Sequence, residues 1–183
     1  MASNSKTLAV LGQPGAGKKT LVGSLLYKCG MDLSLLQQLE SSGTSKYVDI
    51  VPFFEQHKLA KTFCAPSTTI TIVDGKTPDL VIWVVDASAL DRGASSADEL
   101  ASLISHKGIE PKEKLLILVN KMDETEWSEE VFEAISSSFK SIDLDSSGET
   151  YTIPVSALRG DNLLEAPSVP WANTGPTMMQ ALG

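Results

Sequence analysis

Residues 12–20 read "GQPGAGKKT" and follow the short apolar run "TLAVL" at residues 7–11. An apolar run that stops at a glycine is typical of a buried strand entering a loop. The stretch nearly matches the phosphate-binding pattern G-x-x-x-x-G-K-[ST], because Gly12, Gly17 and Lys18 occupy its fixed positions. Lys19 stands where the pattern requires a hydroxyl. We therefore predict a strand, a glycine-rich loop and a helix, with one altered position in the loop.

Strands and helices alternate along the rest of the chain. Helical patterns cover residues 18–30, 33–40, 47–57, 95–108, 128–142 and 177–182, with Ser95 or Ser96 and Ser128 as predicted N-caps. The strand patterns are "TTITIV" (68–73), "DLVIWVV" (79–85), "KLLILV" (114–119) and "YTIPV" (151–155). The second and third are apolar throughout, as parallel strands covered on both faces are. The alternation indicates a doubly wound α/β domain, with a mostly parallel sheet and helices on both faces.

Composition narrows the class of protein. The chain has 183 residues, of which 42% are hydrophobic, so it has the size and core of one globular domain. Its net charge of −8 argues against direct nucleic-acid binding. No apolar run approaches the length of a membrane helix. Cys29 and Cys64 have no metal-ligand spacing, so we predict reduced thiols in a cytoplasmic protein.

The glycine-rich loop is the first candidate site. Backbone N–H groups in such a loop point inward, and the N-terminus of the next helix adds partial positive charge, so the loop attracts phosphate. The candidate binding residues here are Gln13, Pro14, Gly15, Ala16, Gly17, Lys18, Lys19 and Thr20. A register shifted by one residue would put Gln13 and Lys18 at the glycine positions, so we reject it. Taken alone, the altered motif also fits a glycine-rich turn that binds nothing.

Two further motifs follow predicted strands and point to a guanine base. "NKMD" at residues 120–123 supplies Asp123, whose carboxylate can accept hydrogen bonds from the ring N–H and the exocyclic amine of guanine. Asn120 can tie this loop to the phosphate loop, and the alkyl stem of Lys121 can cover the purine face. The third motif consists of Ser156, Ala157 and Leu158. The Ala157 N–H can donate to the guanine carbonyl. Together the three motifs predict binding of GTP or GDP.

Four segments resemble the G domain of translational GTPases, in particular elongation factor 1-alpha and its ribosome-rescue and termination relatives. They are "GAGKKTLVGSLLYKCG" (15–30), "LVNKMDETEWSEEVFEAI" (118–135), "IPVSALRGDNLLEAPSVPW" (153–171) and "GPTMMQAL" (175–182). The first resembles the family without a gap, except that Lys19 replaces its serine. The likeness weakens between about Gly43 and Lys76. The resemblance implies a P-loop NTPase fold, a single G domain over residues 1–183, and an end where the family's first β-barrel domain would begin.

The resemblance also implies parts for hydrolysis that this sequence lacks. The family has an Asp-x-x-Gly turn after its third strand, with a histidine beyond it that positions water. Here Asp74 is followed at once by Gly75, and the next predicted strand starts soon after, so the switch-two helix has no room. His57 and His106 fall in or beside helices elsewhere, and we interpret them as solvated helix residues. Shortened switch regions are therefore expected.

We assign no catalytic residue and no metal ligand. Thr68, Thr69 or Thr71 is either a relic of the family's switch-one threonine or an ordinary strand residue. An ammonium at Lys19 repels the Mg²⁺ that the family's serine would hold, so it speaks against a Mg²⁺ cofactor. Lys19 can instead neutralise part of the charge on the β-phosphate. Whether the chain is an enzyme is left open.

Two hypotheses of function follow. The first is a guanine-nucleotide-binding G domain with weak or no GTP hydrolysis. The alternative is a pseudo-GTPase that binds no nucleotide and serves as an interaction module for partners of elongation factors. In both cases the resemblance implies translation-factor-associated proteins as partners, and we expect neither membrane nor direct nucleic-acid binding. Titration with guanine and adenine nucleotides separates the two hypotheses.

Overall fold

The computed structural model describes residues 5–142, 144 and 148–183. Within these residues the chain forms six strands, β1 (Ser5–Gly12), β2 (Thr62–Ala65), β3 (Thr68–Ile72), β4 (Leu80–Asp86), β5 (Lys114–Asn120) and β6 (Glu149–Pro154). Six α helices accompany them, α1 (Lys18–Cys29), α2 (Leu33–Ser41), α3 (Tyr47–Gln56), α4 (Arg92–Ser105), α5 (Glu129–Phe139) and α6 (Met178–Leu182). Two short 3-10 helices cover Met122–Thr125 and Trp171–Thr174.

The strands form one mostly parallel sheet in the order β2-β3-β1-β4-β5-β6. Only the β2–β3 pair is antiparallel among these strands. Strands β4 and β5 lie in the middle and are apolar on both sides, because helices cover both faces of the sheet there. The order changes direction between β1 and β4, so the carboxyl ends of these strands border a crevice where α/β sheets bind ligands. The predicted doubly wound α/β fold is confirmed.

Helices pack on both faces of the sheet. Helices α1 and α6 cover one face through a core that includes Leu21, Leu25 and Leu182. Helices α4 and α5 cover the other face, where Leu100 and Ile135 are buried. Helices α2 and α3 join the α1 face as a third cluster around α1. The glycine-rich stretch thus runs from a central strand into a helix whose residues 21–26 are buried.

Two predicted helix starts had different outcomes. The hydroxyl of Ser128 accepts the Val131 N–H at 3.4 Å, so the predicted N-cap of α5 is confirmed. The predicted caps of α4 are wrong, because that helix already begins at Arg92. Ser96 lies inside the helix and accepts a hydrogen bond from the buried indole of Trp83 at 2.9 Å. A tertiary partner therefore uses the hydroxyl that the sequence pattern assigned to capping.

Strand β2 was not predicted. It has four residues and pairs antiparallel with β3 at the edge of the sheet. Thr68, Thr69 and Thr71 lie within β3, so they are strand residues in this fold rather than part of a switch loop. Cys29 and Cys64 are free thiols, as predicted. No helix in the described part of the chain combines the length and apolar character needed to cross a bilayer.

Candidate functional site

The loop between β1 and α1 depends on glycine. Gly12, Gly15 and Gly17 have φ values of 140°, 82° and 100°, where side chains other than glycine are strained. A Cβ at Gly12 would also collide with the Val84 carbonyl oxygen, and one at Gly17 would meet the Asn120 amide nitrogen. Gly15 faces open space. The loop is therefore held tightly at both ends and left open in the middle.

Lys18 occupies the hollow of this loop. Its ammonium donates to the carbonyl oxygens of Gly12 and, at 3.1 Å, of Gln13. Burial lowers the pKa of Lys18, and the nearby negative charge of Glu99 partly opposes that effect. A phosphate entering the loop would offer this ammonium a charged acceptor in place of two neutral carbonyls. Lys18 thus lies inside the loop, and its role toward phosphate stays a prediction.

The other loop residues have distinct environments. The Gln13 side chain donates to Ser95 Oγ at 3.3 Å and so links the loop to α4. Pro14 and Gly15 are exposed, whereas Ala16 is buried and its N–H donates to the Gln13 carbonyl at 3.3 Å. The loop is therefore exposed at Pro14 and Gly15 and buried at Ala16.

Lys19 and Thr20 lie on the first turn of α1. Lys19 is exposed, and it makes no ion pair with any residue that the structure describes. Thr20 is half-buried and lines a cavity shared with Asn120 and Asp123. With an ammonium at the position of the hydroxyl ligand, this turn does not fit Mg²⁺ in the way the unaltered motif does.

Asn120 joins three segments at the end of β5. It is 3% exposed, its Nδ2 donates to the Ala16 carbonyl at 2.9 Å, and its Oδ1 accepts the Ala157 N–H at 2.9 Å. The phosphate loop and the 156–158 loop are thereby fixed to each other, as expected for Asn120. The role assigned to Ala157 is changed, because its N–H donates to Asn120 here rather than lying free for a guanine carbonyl. Ser156 is fully buried, and its hydroxyl accepts the Arg159 N–H at 3.2 Å.

A cavity of about 150 Å³ opens between these segments. Its lining residues are Gly17, Thr20, Asn120, Lys121, Asp123, Glu124 and Leu158. The volume suits a heterocyclic base rather than a whole nucleotide, since complete ligand pockets span about 300–1,000 Å³. Leu158 lines this cavity while its side chain is largely exposed. The structure therefore brings all three predicted motifs to one place.

Lys121 is held by a residue that the sequence analysis missed. Its backbone is left-handed, with φ of 65°, and its ammonium contacts Asp86 Oδ2 at 2.6 Å. The other oxygen of Asp86 accepts from Ser88 N–H and Ser88 Oγ–H, at 2.9 and 2.6 Å. Burial acts to raise the pKa of Asp86, but hydrogen bonds from Lys121 and Ser88 outweigh it and hold the pKa below its ordinary value. The only sequence signal was an acid at the end of an apolar strand next to β5.

Asp123 also has a partner that the sequence did not reveal. Its carboxylate lies 3.5 Å from Arg159 Nε, and Asp123 itself lines the base-sized cavity. The Asp123 side chain is 10% exposed and the Arg159 side chain 67% exposed. The group predicted to select guanine is thus in an ion pair.

A larger cavity of about 530 Å³ lies at the other end of β5. It is lined by Lys107, Glu110 and Lys112 among apolar residues, and the described residues bring no glycine loop or convergent polar set to it. We therefore place the candidate site at the smaller cavity, where the chemistry converges.

The connection from β3 to β4 carries no helix. Residues 73–79 form an irregular link without a helix. This agrees with the expectation from the sequence that the link has no room for a switch-two helix. Thr7 closes this link, because its N–H and hydroxyl both donate to Asp79 Oδ2 at 2.8 Å. His57 caps the end of α3 and His106 the end of α4, neither of them lining the base-sized cavity.

The model of the ADP-ribosylation factor family matches residues 76–171, more than half of the chain. Elongation factor 1-alpha of Staphylothermus marinus is 32% identical over 213 aligned positions, which cover 96% of this chain and 48% of the relative. The chain thus spans about half the length of the relatives it matches. Because the alignment is longer than the 183 residues of the chain, the relative has internal segments that this chain lacks.

Solved structures give the same fold. The S. cerevisiae Ski7 GTPase-like domain bound to GTP superposes with a TM-score of 0.70 at 25% identity, covering 98% of this chain and 49% of that one. Sup35 complexed with GDP superposes with a TM-score of 0.67 at 21% identity, covering 99% and 44% of the two chains. The second likeness shows the fold alone. Both neighbours hold a guanine nucleotide in their crystals.

Proposed function

The chain belongs to the ADP-ribosylation factor family and is a G domain related to elongation factor 1-alpha, and on that premise we propose that it binds GTP or GDP with little or no hydrolysis. One observation carries the proposal: the buried Asn120 amide joins the phosphate loop to the 156–158 loop beside a base-sized cavity. A glycine-rich turn without a ligand has no need of a buried polar side chain that fixes two separate loops at one cavity.

Each motif has a role in this proposal. The backbone N–H groups of the 12–17 loop, the N-terminus of α1 and the Lys18 ammonium hold the phosphates. The carboxylate of Asp123 accepts the two N–H donors of guanine. Lys121 and Leu158 line the same cavity and cover the faces of the base. The GTP complex of the Ski7 GTPase-like domain supports a ligand of this class.

Little hydrolysis is proposed because the parts that activate water are missing. The 73–79 link leaves no switch-two helix in the described fold, and neither His57 nor His106 lines the cavity. Phosphoryl transfer depends on a positioned water and on charge stabilisation by metal and donors. A site with a phosphate loop and a base pocket can hold the nucleotide without supplying either.

The proposal extends to the organisation of the protein. We treat residues 1–183 as one G domain, with no β-barrel domain in that range. The expected location is the cytoplasm, and the expected partners are proteins associated with translation factors. These two expectations rest on the relation to elongation factor 1-alpha.

Calorimetric titration with GDP, GTP and ADP, each with and without Mg²⁺, tests the proposal. We expect GDP and GTP to bind and ADP to bind far more weakly. Asp123→Ala should weaken GDP binding by about 2 kcal/mol, since hydrogen bonds to charged groups are among the stronger ones. Glu133→Ala removes an exposed acid on α5 and serves as the matched control.

Two results would count against the proposal in different ways. If ADP competes with GDP on equal terms, the assignment of Asp123 to guanine is wrong. If none of the three nucleotides binds, the non-nucleotide interaction module takes the place of this proposal.

A further inference from the structure

The ion pair between Asp123 and Arg159 lies where the guanine base is proposed to bind. Asp123 is nearly buried at 10% exposure, and its Oδ2 faces Arg159 Nε at 3.5 Å. Asp123 lines the base-sized cavity with Lys121 and Leu158. A ligand that enters the cavity and hydrogen-bonds to the Asp123 carboxylate therefore competes with Arg159 for it.

The backbone of Arg159 is held by hydrogen bonds, whereas its side chain is largely exposed. Its N–H donates to Ser156 Oγ at 3.2 Å, and the Gly160 N–H donates to the Ser156 carbonyl at 2.7 Å. The turn is closed by the Ser156 N–H, which donates to the Asp161 carbonyl at 3.1 Å. The Arg159 side chain, by contrast, is 67% exposed, so it can leave the carboxylate for water at small cost.

An arginine side chain and a guanine edge offer the same chemistry to a carboxylate. The guanidinium presents N–H donors in a planar fork, and guanine presents a ring N–H and an exocyclic amine side by side. Adenine has no such pair of donors. A carboxylate that can accept one of these groups can therefore accept the other, but not both through the same oxygens.

From this geometry we propose that Arg159 is an internal competitor of guanine: its guanidinium pairs with the Asp123 carboxylate when no nucleotide is bound, and the base must displace it. The inference rests on the proposed function and adds a specificity-determining residue to it. Arg159 lowers the affinity for guanine nucleotides only, because adenine nucleotides make no use of Asp123.

The consequence runs against simple charge attraction. Removing a cation beside a site for a polyanion would ordinarily weaken binding. If Arg159 competes with the base, removing it should instead raise the affinity for GDP, so Arg159→Met should bind GDP more tightly. The gain should be about three- to five-fold, the scale of a partly exposed ion pair. It should shrink at high salt, because salt screens exposed pairs.

The test is a double-mutant cycle on GDP affinity, measured by calorimetry in the full chain. Arg159→Met should lower the GDP dissociation constant and leave ADP affinity unchanged. In an Asp123→Ala background the same substitution should have no effect on GDP. Lys140→Met removes an exposed cation from the end of α5 and should change neither affinity. Thermal unfolding without nucleotide checks that every variant is folded.

The outcomes separate this inference from the function it rests on. Wild-type binding of GDP with equal or weaker binding by Arg159→Met overturns the inference alone. A gain that persists in the Asp123→Ala background also overturns it, because the effect then does not pass through that carboxylate. Absence of GDP binding in wild type and Arg159→Met overturns both the proposed function and the inference.

Discussion

At the scale of single residues, Lys19 is the altered position of the phosphate-binding motif. Its side chain is exposed on the first turn of α1, at the position where the motif has a hydroxyl ligand of Mg²⁺. If its ammonium replaces part of the metal's charge, EDTA should change the GDP affinity of the wild type little. Lys19→Ser should then make GDP binding depend on Mg²⁺, since a hydroxyl is restored at the helix start. Calorimetry on both proteins, with Mg²⁺ and with EDTA, measures this difference.

The restored dependence should be partial, because the 73–79 link still supplies no Asp-x-x-Gly turn to orient the metal's water ligands. Lys140→Ser, at the end of α5, is the control for loss of one exposed lysine. A strong Mg²⁺ requirement in the unmodified protein would refute the role given to Lys19.

The site's residues were predictable from sequence to unequal degrees. Asn120, Lys121 and Asp123 form one short motif after an apolar strand, so their shared location follows from the parallel sheet. The partners of two of them were not predictable. Asp86 meets Lys121 from 35 positions away, and Arg159 meets Asp123 from another loop. No spacing rule links such pairs, because only the packing of neighbouring loops brings them together.

At the scale of elements, strands with long apolar patterns were predicted from the sequence, whereas short elements were missed or misplaced. The central strands β4 and β5 were predicted because continuous apolar runs bounded by turn residues are typical of buried strands. Strand β2 was missed because four residues of mixed character carry no usable period. The start of α4 was misplaced because Ser96 serves Trp83 rather than the helix end. Tertiary contacts thus override local capping signals.

The shortened β3–β4 link yields a prediction about stability. Asp79 ends this link and accepts both donors of Thr7, and its own N–H donates to Thr7 Oγ at 3.0 Å. Asp79→Ala should lower the free energy of unfolding by about 2 kcal/mol at pH 7, since the hydrogen bonds lost involve a charged acceptor. Asp74→Ala, in the exposed part of the same link, should change it by less than about 0.5 kcal/mol. Urea denaturation of the three proteins measures both effects.

The pH dependence of this difference checks its cause. The hydrogen bond from the Thr7 backbone N–H is the main reason that the pKa of Asp79 lies below its ordinary value. A lowered pKa gives stability that is present above the unfolded value, about 3.9, and that is lost as pH falls through the folded value. The difference in free energy of unfolding between wild type and Asp79→Ala should therefore become smaller below about pH 4. A gap that stays constant down to pH 2 would show that the carboxylate charge is not responsible.

At the scale of the whole molecule, the β2–β3 edge of the sheet has one apolar face and one polar face. Strands β2 and β3 alternate, with Phe63 and Ile70 buried on the α1 side. Their opposite side carries Thr62, Cys64, Thr69 and Thr71, which are half-buried or exposed. A sheet face that packs a helix needs apolar side chains. This part of the sheet is therefore built to face water without a helix on it.

That architecture predicts the last property, the fate of bound GTP. The described fold has no switch-two helix, His57 and His106 lie at helix ends away from the cavity, and Lys19 replaces the metal-binding hydroxyl. Without a group that orients water, the γ-phosphate is held but not attacked, so GTP bound in single turnover should decay no faster than free GTP in the same buffer. Chromatography of the nucleotide over several hours measures this, with GDP formation in protein-free buffer as the reference. Calorimetry on the same preparation shows that GTP is bound, so that slow decay is not mistaken for an empty site. A turnover rate comparable with that of an intact translational GTPase would mean that some other residue of this chain positions the water.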